Sequence, residues 1–540
     1  MNGERLRRFY QLVPPLAALL VFLPTVFNGF VNWDDDIYIL RNPLLQDFSW
    51  QSLKAIFGGF YAHYYAPLTF LTYAAEYKLA GPAPWLYHLD NILLHAVNVW
   101  LAYRFLMLLC ERPKVALLGA TLLAVHPLRV ESVAWVTERK DLLYSLFYLL
   151  SMNAYLRYAR QGLRTAELAF SAFFCLLSLL CKPMAVTLPA ALLIIDFHIK
   201  RRFSWRLLAE KLPHAALAAA FAFLTWLAQG HSTTGSGNLI ANAETALSNV
   251  YFYLGKIMLP MNLSALYPPP TYALGLRNPL WFTIQVTAAL GALYACWLLR
   301  RKMRVLATGL LFFLVTLSPV IQVVSIGWSG AADRYTYMPS LGIALILAAG
   351  AAALYGKLQK DGRKYMLAGV GIALAALSAS SLARCFAWRD SITLWTDVLR
   401  NYPESAIALN NRGKAYAQAG DFAKAEADFT AALRTHPESV IFLSNRASAS
   451  ARLGHLETAL QDLDKAIALV PDAPSAYNNR GAIYLLSGRP RHAAHDFQKA
   501  LELQPGYQDA AHNLATSQKM LRSGTQTKRR PRDEQQGRRK

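Results

Sequence analysis

The sequence is poor in charge. Only 16% of its 540 residues are Asp, Glu, Lys or Arg, whereas 54% are hydrophobic. Soluble globular chains lie nearer a quarter charged, so a fold that is water-soluble throughout is excluded and a polytopic membrane protein is expected. Cysteine is scarce as well. The five (Cys110, Cys175, Cys181, Cys296, Cys385) are scattered, mostly in or beside apolar runs, with no Cys-x-x-Cys, so neither a disulfide framework nor a zinc site is indicated. Acidic residues number 33 against 55 basic ones, a net charge of +22. In a soluble protein that excess would point to nucleic acid. Here much of it falls in short clusters between apolar runs, where it sets topology, and no nucleic-acid partner is expected.

What is present changes along the chain. Long apolar runs dominate to about residue 383; from about 388 the pattern is amphipathic and repetitive, and the last stretch, TKRRPRDEQQGRRK, lacks apolar residues. The expected division is a transmembrane domain over 1–385, a helical repeat domain over 386–522 and a basic disordered tail over 523–540. The fold class is all-α. Stretches near the ~20 residues that cross a bilayer run at 10–28, 89–109, 114–128, 141–157, 166–181, 183–199, 213–229, 279–299, 305–325, 337–355 and 365–383. The first reads as an uncleaved anchor, because it lacks a small-x-small cleavage site and carries Pro14, Pro15 and Pro24. About eleven spans place the basic clusters RLRR, ERPK, RYARQGLR, KRRFSWR, RRKMR and KLQKDGRK on one side, the cytoplasm. Residues 248–270 are apolar enough to be a twelfth span but read as an interfacial or re-entrant segment. The repeat domain then lies outside.

Prolines 403, 437, 471 and 505 are 34 residues apart, and Gly420, Gly454 and Gly488 keep the same period, as do Ala432, Ala466 and Ala500. That is the tetratricopeptide (TPR) signature, giving three full repeats with flanking half-units. Asn411, Asn445, Asn479 and Asn513 share the spacing. An amide donates and accepts at once, so such a row in the concave groove would bind the backbone of an acceptor polypeptide; the alternative is that it bonds neighbouring turns of the solenoid.

The loops assigned to the outer side collect polar residues: Asp34, Asp35 and Asp36; His63, Tyr64 and Tyr65; His88, Asp90 and His95; His126, Arg129 and Glu131; Glu138, Arg139, Lys140 and Asp141; Lys182; Arg334, Tyr335 and Tyr337. Ionisable groups at a membrane edge usually mark a functional cavity. The histidines read as hydrogen-bonded span-end residues rather than metal ligands.

The order of blocks FVNWDDDIYILRNP, YYAPLTFLTYAAEYKLAG, LYHLDNILLHAVN, HPLRVESVAWVTERKDLL, CKPMAVTLP, LPMNLSALYP and DRYTYMPS, ending in TPRs, resembles the transmembrane and TPR-repeat-containing (TMTC) family of protein O-mannosyltransferases, particularly its short bacterial members. That family is similar to the GT-C glycosyltransferases. The resemblance implies transfer of a sugar, mannose in the animal members, from a polyprenyl-phosphate donor to Ser or Thr hydroxyls of a protein. It places the family's acidic pair on Asp34 and Asp35, as catalytic base and its partner or a metal ligand. A hydroxyl needs such a base as its bond to the sugar forms, and Asp36 is then a capping or solvated neighbour. The departing phosphate needs cations, for which Arg334, Lys182 and Arg139 are the candidates, with Glu131, Asp141 and Tyr335 beside them. For Arg139 an ion pair with Asp141 or Glu131 is the alternative. No cofactor is assigned and the metal stays unknown. The chain departs from the family pattern at Ala66 in Tyr-Ala-Pro-Leu, at Pro183 after Lys182 and at Asp333 before the Arg-Tyr pair. The expected place is a bacterial inner membrane with the TPRs in the periplasm, or an ER membrane with lumenal TPRs. Two other readings are an envelope O-oligosaccharyltransferase or polysaccharide polymerase and a membrane-anchored TPR scaffold. Eleven spans exceed what an anchor needs.

Overall fold

The computed structural model describes residues 3–61, 64–229, 239–267, 279–299, 303–321 and 330–528. Expectations that fall on His63, on the loop 230–238 and on most of the tail lie outside the described residues. All named elements are helical, and the chain divides into two compact units, Met1–Leu394 and Trp395–Lys540.

In the first unit, helices Gly3–Phe22, Pro84–Cys110 and Pro113–Val125 pack on one another; Arg139–Arg160 packs on Pro84–Cys110 and Thr165–Cys181. Their shared core includes Leu106, Ala120, Tyr148, Met152, Tyr155 and Leu179. Pro67, Pro84 and Pro113 each open a helix, where the missing N–H costs nothing and the fixed φ is already helical. Helices Arg304–Leu317 and Ser340–Lys357 cross at Gly309 and Gly342, where a Cβ on either would collide with the other's carbonyl. Close approach through small residues is how helices associate without a hydrophobic drive between them.

Among the described residues four helices are long and apolar enough to cross a bilayer: Phe9–Phe27, Pro84–Cys110, Ser340–Lys357 and Lys360–Ala387. The pair Pro113–Val125 and Pro127–Ala134, bent by 59°, makes a fifth if it is one span. Eleven full spans are therefore not what the described residues contain. Thr165–Cys181, Pro183–His198, Leu212–Ala228 and Arg304–Val320 are apolar but short, whereas Pro279–Leu299 is a helix of 21 residues. Proline explains part of the shortening: Pro127 follows the bend, and Pro183 closes one helix and opens the next turn. Arg139–Arg160 is long enough at 22 residues but carries Arg139, Lys140, Asp141, Arg157 and Arg160. The segment read as interfacial begins earlier than its apolar run suggests, within helix Leu239–Met258.

The segment after the first helix folds into a turn of π-helix, Asp36–Leu40, and two short helices, Pro43–Gln46 and Trp50–Gly58. Ile39, Leu45 and Ile56 from these bury against Phe70, Tyr73, Tyr87 and Val136. Burial of that apolar face is what holds an acidic loop in one place.

The second unit is a solenoid of helix pairs: Ala406–Gln418 with Phe422–Thr435, Val440–Arg452 with Leu456–Leu469, and Pro474–Leu486 with Pro490–Leu503. Gly420, Gly454 and Gly488 join the members of each pair at φ +83°, +85° and +69°, a conformation only glycine adopts without strain. Each pair is also bolted by a bidentate ion pair sixteen residues apart: Arg412 with Asp428 (2.8 and 2.8 Å), Arg446 with Asp462 (2.8 and 2.6 Å), Arg480 with Asp496 (2.7 and 2.8 Å).

The outer repeats use one packing solution and the middle repeat another. A Cβ on Gly413 would lie 2.7 Å from Phe429, and one on Gly481 would lie 2.8 Å from Phe497. At the corresponding positions the middle repeat has Ala447 and Leu463, both buried in one cluster. Gly413→Ala should therefore destabilise the second unit by about 1–3 kcal/mol through overpacking, and adding Phe429→Leu should restore most of the loss. Thermal unfolding of the full-length protein, followed by circular dichroism, measures both; equal melting of G413A and wild type would contradict this account.

Candidate active site

Three loops and one helix start converge in the first unit. Glu131 comes from the short helix Val130–Ala134 after the 59° bend; Glu138, Lys140 and Asp141 come from the junction of the turn Val136–Glu138 with helix Arg139–Arg160. Lys182 sits in extended conformation between helix Thr165–Cys181 and Pro183, and Arg334 and Tyr335 lie in the turn Asp333–Thr336. Consecutive residues on a helix point about 100° apart, so the run Glu138-Arg139-Lys140-Asp141 fans out. That single turn supplies groups to different neighbours.

Glu138 is the hub. Its Oε1 receives Lys140 Nζ at 3.1 Å and Arg334 Nε at 3.3 Å, and its Oε2 lies 3.6 Å from Lys182 Nζ. The cations are gripped from behind by other carboxylates. Glu131 accepts Arg334 Nη1 at 2.5 Å and the Arg334 backbone N–H at 2.9 Å, and Asp141 accepts Lys182. Aromatic rings complete the enclosure: Arg334 lies 5.4 Å from the Trp135 ring and 4.9 Å from Tyr335, and Lys140 lies 5.5 Å from both Tyr38 and Tyr64. The side chains of Glu138, Lys182 and Arg334 are 1%, 8% and 13% exposed. Burial alone would raise the Glu138 carboxyl, but Lys140, Lys182 and Arg334 together hold it down to about 2. It stays ionised because three cations face it.

The aspartates of the first loop take different positions. Asp35 is 1% exposed; it accepts the backbone N–H of Val31 at 2.9 Å, that of Thr137 at 3.1 Å, and the Thr137 hydroxyl. It ties the loop to the turn that carries Glu138 and does not face the cations. Asp34 is half-buried and makes no side-chain hydrogen bond among the described residues. Burial raises its carboxyl, as does Glu138, while Lys140 and Arg334 oppose the rise, so the site's charges act on it directly.

Among the phosphate candidates, the structure brings Arg334 and Lys182 together and sets Arg139 apart. Arg139 is fully buried with all three nitrogens bonded: Nε to Asn91 (2.9 Å), Nη2 to the Tyr87 carbonyl (2.7 Å) and Nη1 to Glu76. Its ion-pair partner is neither Asp141 nor Glu131. Glu138 and Lys140 were visible in the sequence as outer-face polar residues but were absent from the candidate set; the compact string of four charges beside an apolar run was the signal. Tyr335 belongs to the cluster, stacked between Arg334 and Lys182, which lies 5.9 Å from its ring. Among the described residues no group of three or more His, Cys, Asp or Glu is placed to hold a metal ion. His95 bonds the Tyr337 hydroxyl at 2.7 Å and the Ala124 carbonyl at 3.2 Å, and His126 bonds the Ile257 carbonyl at 2.9 Å.

In the second unit the asparagine row is engaged internally. Asn445 donates to Asn410 at 2.8 Å, Asn513 donates to Asn478 at 3.1 Å, and Asn411 is buried beside Asn410, accepting its amide at 3.2 Å. The first two bonds link one helix pair to the next, and the third stays within one helix. Asn479 is half-buried.

Comparison with known proteins bears on both units. Tetratricopeptide-repeat family models match residues 388–440, 413–474 and 474–507. The human protein O-mannosyl-transferase TMTC4 is 26% identical over 424 residues, 66% of this chain and 56% of that protein. The protein O-mannosyl-transferase F38B6.6 of Caenorhabditis elegans is 25% identical over 447 residues, 76% of this chain. The chain is similar to these two TMTC-type proteins over two thirds and three quarters of its length. A third relative, Tmtc1 of Drosophila melanogaster, is 33% identical over 182 residues, 32% of this chain. The chain spans 56% and 60% of the lengths of the first two relatives.

Asp35 gives the site a pH signature. Its burial raises the carboxyl from 3.8 to about 7 against the opposing hydrogen bonds from Thr137 and Val31. The folded state then holds the proton more tightly than the unfolded state, so the contribution of Asp35 is fullest below pH 3.8 and is lost as pH rises through about 7. The melting temperature of wild type minus that of Asp35→Asn, measured in detergent, should fall between pH 5 and pH 8. A difference that stays flat or rises would contradict the assignment.

Proposed function

We propose that the protein is a membrane glycosyltransferase that moves a sugar, mannose or a close relative, from a polyprenyl-phosphate donor to Ser or Thr hydroxyls of acceptor polypeptides. The observation that carries this reading is the gathering of Arg334, Lys182 and Lys140 around Glu138 with the unbonded Asp34 carboxylate within reach of their charge. The names of the relatives favour the same chemistry.

In this mechanism the acceptor hydroxyl attacks the anomeric carbon while Asp34 takes its proton. The bond from that carbon to the phosphate oxygen breaks, and the polyprenyl phosphate leaves with the electron pair. Its new charge is received by Arg334, whose fork suits a phosphate, with Lys182 and Lys140 beside it. Glu131, Glu138 and Asp141 hold these cations in place before the donor arrives, so little reorganisation is left for the moment of reaction. Asp35 fixes the loop that presents Asp34. Arg139 braces the start of its helix against Glu76 and Asn91 and takes no part in phosphate binding. The short apolar helices, with Pro279–Leu299 and Arg139–Arg160, complete an eleven-span arrangement that puts this site and the TPR unit on the non-cytoplasmic side, the periplasm of a bacterium. The TPRs hold the acceptor chain, with Asn445 and Asn513 joining repeats and Asn411 and Asn479 in the same row.

The test is transfer from a panel of radiolabelled polyprenyl-phosphate sugars to a Ser/Thr-rich peptide by the purified protein. With one donor turned over, Asp34→Asn should lower the rate at least about 100-fold with unchanged melting, and Asp36→Asn should stay close to wild type. Full activity of D34N, or no turnover of any donor by wild type, would sink the proposal.

A further inference from the structure

A second charged cluster lies far from this site. On helix Arg139–Arg160, Asp141 is near the start and Tyr155 near the end, about 21 Å apart at ~1.5 Å per residue. The Tyr155 hydroxyl donates to Asp196 at 2.8 Å and accepts from Arg201 Nη1 at 2.8 Å and from Lys211. Arg201 also pairs with Glu210 through two bonds of 2.7 and 2.9 Å. Asp196, Glu210 and Lys211 are buried. These partners saturate one another, which leaves no room for a ligand within the cluster; what a buried ion-pair cluster supplies is one fixed geometry.

The geometry it fixes is that of the chain between Asp196 and Lys211. Lys200 turns it at φ +65°, Ser204 caps the short helix Trp205–Ala209, and Leu207 points inward. The side chains of Lys200, Arg202, Phe203, Ser204, Trp205 and Arg206 are exposed. Phe203 is 75% exposed and Trp205 is 83% exposed. Lys200 and Arg202 are exposed with no ion-pair partner among the described residues, and Arg206 is 73% exposed and 3.9 Å from Glu210. Two large rings held in the open would be a liability in water. Trp and Phe beside Lys and Arg are the composition of a membrane interface, where rings lie at the headgroup level and cations meet lipid phosphate.

We propose that residues 200–206 form a binding site for the headgroups of anionic phospholipids. Phe203 and Trp205 enter the interfacial layer, and Lys200, Arg202 and Arg206 hold the phosphates. Charge complementarity selects the occupant: three exposed cations without an exposed carboxylate among them favour an anionic lipid over a zwitterionic one. The site does not depend on the transferase reading.

Brominated lipids test it in the full-length protein reconstituted into nanodiscs. The chain has 12 tryptophans, so the signal of interest is the emission lost between wild type and Trp205→Phe. That component should be quenched at least twofold more by brominated phosphatidylglycerol than by brominated phosphatidylcholine at equal mole fraction. The triple variant K200Q/R202Q/R206Q, whose changes are all on exposed side chains, should quench equally with both. Equal quenching in wild type overturns the headgroup preference, and no quenching by either lipid overturns insertion of the ring. A preference that survives in the triple variant overturns the role of the three cations.

Discussion

The convergence of three cations on one buried carboxylate is the interaction on which the first unit's chemistry rests. Glu138 could not remain ionised in an enclosed site without Lys140, Lys182 and Arg334, and those three could not sit so near one another without it. Each of the three also has a second tether, Glu131 for Arg334, Asp141 for Lys182 and the aromatic faces for Lys140. The result is three cations held in fixed positions and balanced by as many carboxylates, with most of their solvation already replaced by fixed protein groups.

Around that hub, neighbouring residues divide the labour between support and reaction. Asp35 is spent on the loop's attachment, while the Asp34 carboxylate makes no hydrogen bond among the described residues and is subject to the cations. Arg139 points into the bundle toward Glu76 and Asn91, while Lys140 faces the rings and Asp141 faces Lys182. In both places adjacent residues of the same charge do opposite work, because the backbone turns them to different sides.

This division is also where the sequence stopped being legible. The 34-residue period of Pro and Gly is a local signal and was read directly; the Arg412–Asp428 bolt and its two repeats share that period but needed the helix pairing to be seen as partners. Apolar runs marked where membrane helices lie, yet hydropathy averages over Pro127 and Pro183 and so overstated how many are long enough to cross alone. At the site, residue types were informative and contacts were not. Asp35 is defined by Thr137, 102 positions away, and nothing in a run of three aspartates shows which one will meet it. Asn445 reaching Asn410 rather than the groove is likewise set by the offset between repeats, about which spacing alone is silent.

Helix Arg139–Arg160 has charged groups fastened at both extremes, Asp141 and its partners at one and Tyr155 with Asp196 and Lys211 at the other. Neither end can slide into hydrocarbon without stripping ions of their neighbours. Its 22 residues span about 33 Å, so the rod behaves as a spacer of set length. The Glu138 cluster and the Tyr155 cluster are therefore kept at one separation, because the rod between them can neither shorten nor slip while both ends stay paired.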